Sequence, residues 1–179
     1  MTAQLMIRPP RPAELRAVQQ VEVAAGRLFA EVGMDLVAQH DPFSLFELQG
    51  FLDRGAFWVA APVGGDPVAY LLVEAVDGCA HVEQVSVHPD HGRRGVGTRL
   101  IDTAEGWAAA RGLPALTLTT FSEVAWNRPY YERLGFRVLA ADELTPGLVA
   151  IRTYEDSIGL DAWPRVCMRR DVGATPPPA

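Results

Sequence analysis

The chain of 179 residues holds only two cysteines, Cys79 and Cys167, and neither belongs to a Cys-x-x-Cys pair. That excludes a disulfide framework and gives no zinc or redox signature. Two isolated cysteines read as reduced side chains of a cytoplasmic protein. No apolar run approaches the ~20 residues of a transmembrane helix, so no membrane span is expected. The opening "MTAQLMIRPPRP" has no cationic start followed by an apolar stretch, so no signal peptide is expected either. Positive charge is in short supply: the formal net charge is −6. This balance argues against a broad nucleic-acid or anionic-membrane surface. His88 and His91 flank a proline with no third ligand nearby, and no metal site is expected.

Hydrophobic residues make up 49 % of the chain, enough for one domain with a proper core. Residues 1–172 read as that domain, and the Pro-rich "GATPPPA" at 173–179 reads as a disordered tail. The pattern predicts a strand over 4–8 and a helix from Pro12 to about Phe29 with an apolar 3.6-residue period. A polar, flexible connection follows, then a second helix capped by Ser44 and stopped by Gly55. Strands over 57–62, 66–76 and 79–87 are joined by "VGGD" and by Asp77–Gly78, both hairpin signals. Beyond them come a helix from Gly95 to Arg111, with Trp107 expected in the core, and a strand over 115–120. A short helix near 127–135, a strand over 136–140, a helix over 145–160 and a strand over 165–170 complete the chain. Antiparallel strands followed by helix–strand alternation predict an α+β fold around a mixed, mostly antiparallel central sheet flanked by helices.

The turning point between the two regimes is "VSVHPDHGRRGVGTRLI", residues 85–101. A β-like run stops at Pro89, and a helical pattern begins directly at two glycines. Helix N-termini carry free N–H groups and about half a positive charge, so anions bind there. Gly95 and Gly97 let a ligand approach the backbone, Arg93 and Arg94 add forked donors, and Thr98 adds a hydroxyl. The segment reads as a pyrophosphate cradle. A tight βα turn with glycines used only for geometry is the competing reading. A Walker A loop is excluded by the missing lysine, and a dinucleotide fingerprint by Leu100 where its third glycine belongs.

The pattern V-x-V-x-P-x-x-G-R-R-G-V-G-T resembles the acetyl-CoA signature of the GNAT superfamily of N-acetyltransferases. A second stretch, "WNRPYYERLGF" at 126–136, is similar to that family's later helix and turn, and the order of elements matches as well. The resemblance implies transfer of an acetyl group from acetyl-CoA to a primary amine, on a small molecule or peptide, by direct attack in a ternary complex. It implies that the amides of Arg93, Arg94, Gly95, Val96, Gly97 and Thr98 hold the pyrophosphate. Val85, Ser86 and Val87 would offer backbone groups to pantetheine, and one such amide would polarise the thioester carbonyl. Asn127 would contact the cofactor arm and Tyr131 would be the general acid. The family usually carries Gln or Arg where this chain has Gly92, so a side-chain contact is lost there. Family members often dimerise through their C-terminal strands, and the apolar "RVCM" is compatible with a homodimer.

An alkylamine has a pKa near ~10.4 and arrives charged, so a base or a water relay must take its proton. His81 and Glu83 lie on one face of the same predicted strand and both are candidates. Residues 29–46 are candidates for the acceptor pocket, with Phe29, Glu31, Asp35, His40, Asp41, Phe43 and Phe46 as its side chains. A non-catalytic acyl-CoA sensor and a nucleotide-dependent transferase are the readings from other classes.

Overall fold

A computed structural model describes residues 5–174. The proline-rich end from 175 onward and Gln4 at the start of the first predicted strand lie outside the described residues. Among the described residues seven strands form one sheet in the order β1-β2-β3-β4-β5-β7-β6, mostly antiparallel, with helices around it. Contacts divide the chain into two compact units, one of residues 5–73 and 84–103 and the other of 74–83 and 104–174.

In the first unit, β1 (Leu5–Arg8), β2 (Phe57–Pro62) and the start of β3 (Ala69–Val76) pair antiparallel, with Ile7 opposite Ala60 and Val59 opposite Tyr70. Helix α1 (Leu15–Gly26) turns Leu15, Val18 and Val21 onto Leu48 and Phe51 of α3 (Leu45–Asp53), above Phe57, Val59, Tyr70 and Leu72. Each such side chain removed from water contributes about 1.5–3 kcal/mol. Ser44 caps α3 as the sequence predicts: its hydroxyl accepts from the Glu47 N–H, and Glu47 returns a bond to the Ser44 N–H at 2.8 Å. Glu14 is 4 % exposed and is held by Arg8 and Arg11, each at 2.7 Å. The segment expected to be a flexible connection is ordered instead. A 3-10 turn (Arg27–Val32) and a short helix α2 (Asp35–Ala38) carry the chain across it. Met34, only 2 % exposed, explains the order: it anchors a stretch whose composition looks polar.

In the second unit, the first residues of β4 (Cys79–Val87) run parallel to β5 (Ala115–Phe121), with Ala80 opposite Leu116 and His81 opposite Thr117. Strand β5 then pairs antiparallel with β7 (Arg165–Asp171), whose far side takes the two-residue strand β6 (Arg137–Val138) at Met168 and Arg169. Arg170 of β7 is 4 % exposed. It bonds Glu105 at 2.9 Å and the Leu134 carbonyl at 2.9 Å, fixing the turn after α5 (Arg128–Arg133). Helix α4 (Val96–Ala109) starts in the first unit, where it buries Val96, Leu100 and Ile101, and ends in the second, where it buries Ala104 and Ala108. Trp107 corrects the sequence expectation. It is half-buried rather than core, with the Arg111 guanidinium 4.1 Å from its ring centre. Helix α6 (Pro146–Ser157) buries Leu148 and Glu155. Both cysteines are free and buried, and no helix of the described residues is long and apolar enough to cross a membrane.

Candidate functional site

Strand β4 brings His81 and Glu83 onto one face by simple alternation. Their environments push them in opposite directions. His81 is 1 % exposed, and burial drives its pKa down to about 4 against a smaller pull from Glu155. It is therefore a neutral ring near pH 7, with Nδ1 3.0 Å from the Thr117 hydroxyl and Nε2 4.0 Å from Glu83 Oε2. The Glu83 side chain keeps 31 % of its exposure. Its pKa is pushed up to about 7, by burial first and then by the carboxylates of Glu74 and Glu155. Glu155 is itself gripped by Arg152, by the Thr119 hydroxyl and by Arg165, whose Nη2 lies 2.8 Å from Oε1. A half-exposed carboxyl that titrates near neutrality matches the requirement for a general base.

Past Glu83 the strand carries Val85, Ser86 and Val87 to its end, with Ser86 buried and accepting a 3.0 Å bond from Gln84. Pro89–His91 forms a 3-10 turn, and the Gly92 N–H returns to the Pro89 carbonyl at 3.0 Å. A Cβ on Gly92 would stand 3.2 Å from that carbonyl oxygen. The departure noticed in the sequence thus has a local reason: the turn as built leaves little room for a side chain. Arg93 then adopts φ 57° and Gly95 φ 71°, left-handed positions on either side of Arg94. Arg93 is not a glycine, so its conformation stores about 1–2 kcal/mol. Both arginines are exposed, Val96 is buried, and Gly97 and Thr98 are half-buried in the first turn of α4. The first N–H groups of this helix have no partner within it. These amides, the cations beside them and the open space around Gly95 fit a pyrophosphate.

In the second unit, Asn127 occupies the N-cap of α5 but makes no side-chain cap bond; its carbonyl accepts from the Tyr131 N–H at 3.1 Å. Its carboxamide is not spent on the helix. Tyr131 sits between Tyr130 and Phe136, with ring centres 5.3 Å and 5.7 Å away. Burial, and then the neighbouring Tyr130, push its phenol well above the ordinary value, so it keeps its proton at working pH. A cavity of about 350 Å³ in this unit is lined by Cys79, Thr117, Arg137 and Arg169 among others, and holds none of the site residues named from the sequence. Among the described residues no group of three or more His, Cys, Asp or Glu side chains could hold a metal ion.

Of the acceptor candidates, Glu31, Asp35, His40, Asp41 and Phe46 are exposed, while Phe29 and Phe43 are half-buried. Sequence reasoning passed over Glu22 and Tyr70. Glu22 follows Val18 by four residues on α1, on the side of the helix that faces inward, and accepts from the Phe43 N–H at 3.2 Å. The readable signal was a carboxylate at a core position of an amphipathic helix.

A model of the Acetyltransferase (GNAT) family matches residues 25–136 of the chain. The fold is similar to that of PaiA N-acetyltransferase from Thermoplasma acidophilum in complex with coenzyme A. The TM-score is 0.70 at 13 % identity, over 94 % of this chain and 99 % of that one. It is similar to the ribosomal-protein-S18-alanine N-acetyltransferase of Escherichia coli, with TM-score 0.64 and 17 % identity over 96 % of each chain. It also resembles a streptothricin acetyltransferase from Bacillus anthracis in complex with acetyl coenzyme A. There the TM-score is 0.52 at 18 % identity, over 64 % of this chain and 62 % of that one. At these identities the structural likeness is one of fold.

Proposed function

We propose, for a chain that belongs to the Acetyltransferase (GNAT) family, that it moves the acetyl group of acetyl-CoA to a primary amine of a small molecule or peptide. The chain is an acyltransferase and acetyl-CoA is its cosubstrate. Residues 1–172 act as one N-acetyltransferase domain in the cytoplasm. The carrying observation is the course of β4. It runs from a carboxyl held near neutrality at Glu83 into the turn of Arg93 and Gly95 that opens α4.

Glu83 is assigned the role of base. An ammonium loses its proton to a carboxylate of pKa about 7 only uphill. The neutral amine, the minor form near pH 7, is therefore the species that attacks; as its N–C bond forms the nitrogen turns acidic and passes a proton to Glu83. His81 is neutral and assists by orienting Glu83. With Nδ1 accepting from the Thr117 hydroxyl, the proton on Nε2 faces the carboxylate. The amides of Val85 and Val87 serve the pantetheine arm and polarise the thioester carbonyl, as oxyanion donors do. The amides from Arg93 to Thr98, with the charges of Arg93 and Arg94, bind the pyrophosphate. Asn127 meets the cofactor arm with its uncommitted carboxamide. Tyr131 donates its hydroxyl hydrogen to the sulfur as the C–S bond breaks, an uphill transfer for a phenol raised above its ordinary value, and the phenolate regains a proton from solvent as Glu83 gives up the one it took.

The Tyr131→Phe variant tests this chemistry. It should lower kcat roughly 10²–10⁴-fold, the range of general acid catalysis, while leaving acetyl-CoA affinity within a few-fold. Undiminished kcat would remove Tyr131 from the mechanism. Acetyl-CoA binding with no thiol release from any amine would favour the non-catalytic sensor.

A further inference from the structure

The second unit holds an ion cluster on the sheet face that carries the proposed base. Thr117 and Thr119 alternate along β5, so both side chains share one face. Thr117 meets His81 there at 3.0 Å. Thr119 gives its hydroxyl hydrogen to Glu155 of α6 and accepts from Arg165 of β7 at 3.1 Å. Arg165 holds Glu155 with two further bonds, at 2.8 Å and 3.1 Å. Arg152 holds it from within α6 while also pairing with Asp161. The Glu155 side chain is 10 % exposed and that of Arg165 8 %. A buried ion cluster is weak support for a fold, because desolvation offsets the attraction and apolar packing often serves as well. Its place on this face calls for another account.

The strand pairing supplies one. Strands β4 and β5 run parallel, with His81 opposite Thr117. Two residues further in the same direction stand Glu83 on β4 and Thr119 on β5, each on the face of its predecessor. The clamp on Thr119 thus fixes a carboxylate near both candidates of β4, and its charge acts on His81 and Glu83 alike. Among the described residues Glu74 of β3 also faces Glu83, as does neutral His81 on its own strand. Strand β5 contributes the two threonine hydroxyls. Strand β7 contributes Arg165 and Cys167, which lies opposite Thr119 and whose thiol burial pushes up. A negative charge beside a carboxylate strengthens it as a base, and the two guanidinium groups temper that charge.

We propose that Glu155 is a positioning residue for the reaction: fixed by Thr119, Arg152 and Arg165, it supplies the negative charge against which Glu83 takes up the proton of the acceptor nitrogen. This rests on the amine-acetylating reading with Glu83 as base, and it adds a residue that touches neither substrate.

The test titrates the Glu83 carboxyl by ¹³C NMR and separately measures kcat/KM against pH, in the full parent chain and in E155Q and R152Q. The two variants carry opposite expectations. E155Q removes the negative charge and leaves both guanidinium groups. The Glu83 midpoint and the rising limb of kcat/KM should then move to lower pH by about half a unit or more, within the ~1-unit spread that protein surroundings impose. R152Q leaves Glu155 with Arg165 alone and less of its charge compensated, so midpoint and limb should move to higher pH. Arg152 is the more exposed of the two arginines, and R152Q serves if E155Q does not fold. A merely structural role would lower rates without moving either midpoint. Midpoints that stay in place, or that move the same way in both variants, would overturn the proposal. A kcat/KM limb that does not follow the midpoint would overturn it too. Absence of thiol release with every amine would refute the transferase reading, and the NMR midpoints would still decide whether Glu155 governs Glu83.

Discussion

Glu83 ties activity and stability to the same proton. Its carboxyl titrates at about 7 in the folded chain against 4.5 for the free group. Only the ionised form is a base, so kcat/KM should climb as pH rises through about 7. Stability moves the other way. The folded state binds the extra proton, so its contribution is present below pH 4.5 and is lost as pH rises through about 7. The E83Q variant should therefore unfold at a higher temperature than the parent chain at pH 8, while its activity falls roughly 10²–10⁴-fold and loses this pH step. Thermal melts and initial rates across the pH range read both effects. A second local trade sits at Arg93, whose left-handed backbone a glycine would adopt freely. R93G should gain up to about 1–2 kcal/mol in stability. Its KM for acetyl-CoA should rise, because one guanidinium leaves the pyrophosphate site. An unchanged KM would leave Arg94 alone in that role.

Secondary elements carry these residues into position, and some of the joints are single side chains. Arg170 reaches from β7 to Glu105 on α4 and to the Leu134 carbonyl, and lies over the Phe136 ring at 5.2 Å. It thereby fixes the turn that follows Tyr131. R170M strands the Glu105 carboxylate and frees Leu134. It should cost about 3–5 kcal/mol, measured by denaturant unfolding. The elements themselves were largely legible from the sequence. Ser44 announced α3, Asp77–Gly78 announced the hairpin, and β4 falls at 79–87 as its alternation predicts. The helix α2 was not legible, because it hangs on one buried methionine in a polar stretch. Trp107 misled through its spacing, since an aromatic at a core period can still lie at the rim under an arginine. Glu83 and His81 were legible as candidates through alternation alone. Their opposite titration was not, because it comes first from burial and then from the charges of Glu74 and Glu155, neither of which can be read along the strand. Glu22 and Tyr70 stayed hidden for the same reason.

Taken whole, the chain has a composition that suits an acylating enzyme. It contains no lysine, and all 16 of its basic side chains are arginine. Guanidinium groups stay protonated at working pH and are poor nucleophiles, so no side-chain amine of the protein competes with an added acceptor. Acetyl-CoA binding itself should be visible in the melt. At one hundred times its Kd the ligand adds about 2.7 kcal/mol. In a chain of 179 residues that is a rise of about 5–10 °C. ATP should not reproduce it, which separates this reading from a nucleotide-dependent transferase. The most direct measurement is thiol release from acetyl-CoA by the purified chain, with and without a panel of primary amines. Mass spectrometry of the amine product completes it. Amine-dependent release, with each product heavier by one acetyl group, is the predicted result. Saturable acetyl-CoA binding with no acetylated amine across the panel would contradict the account.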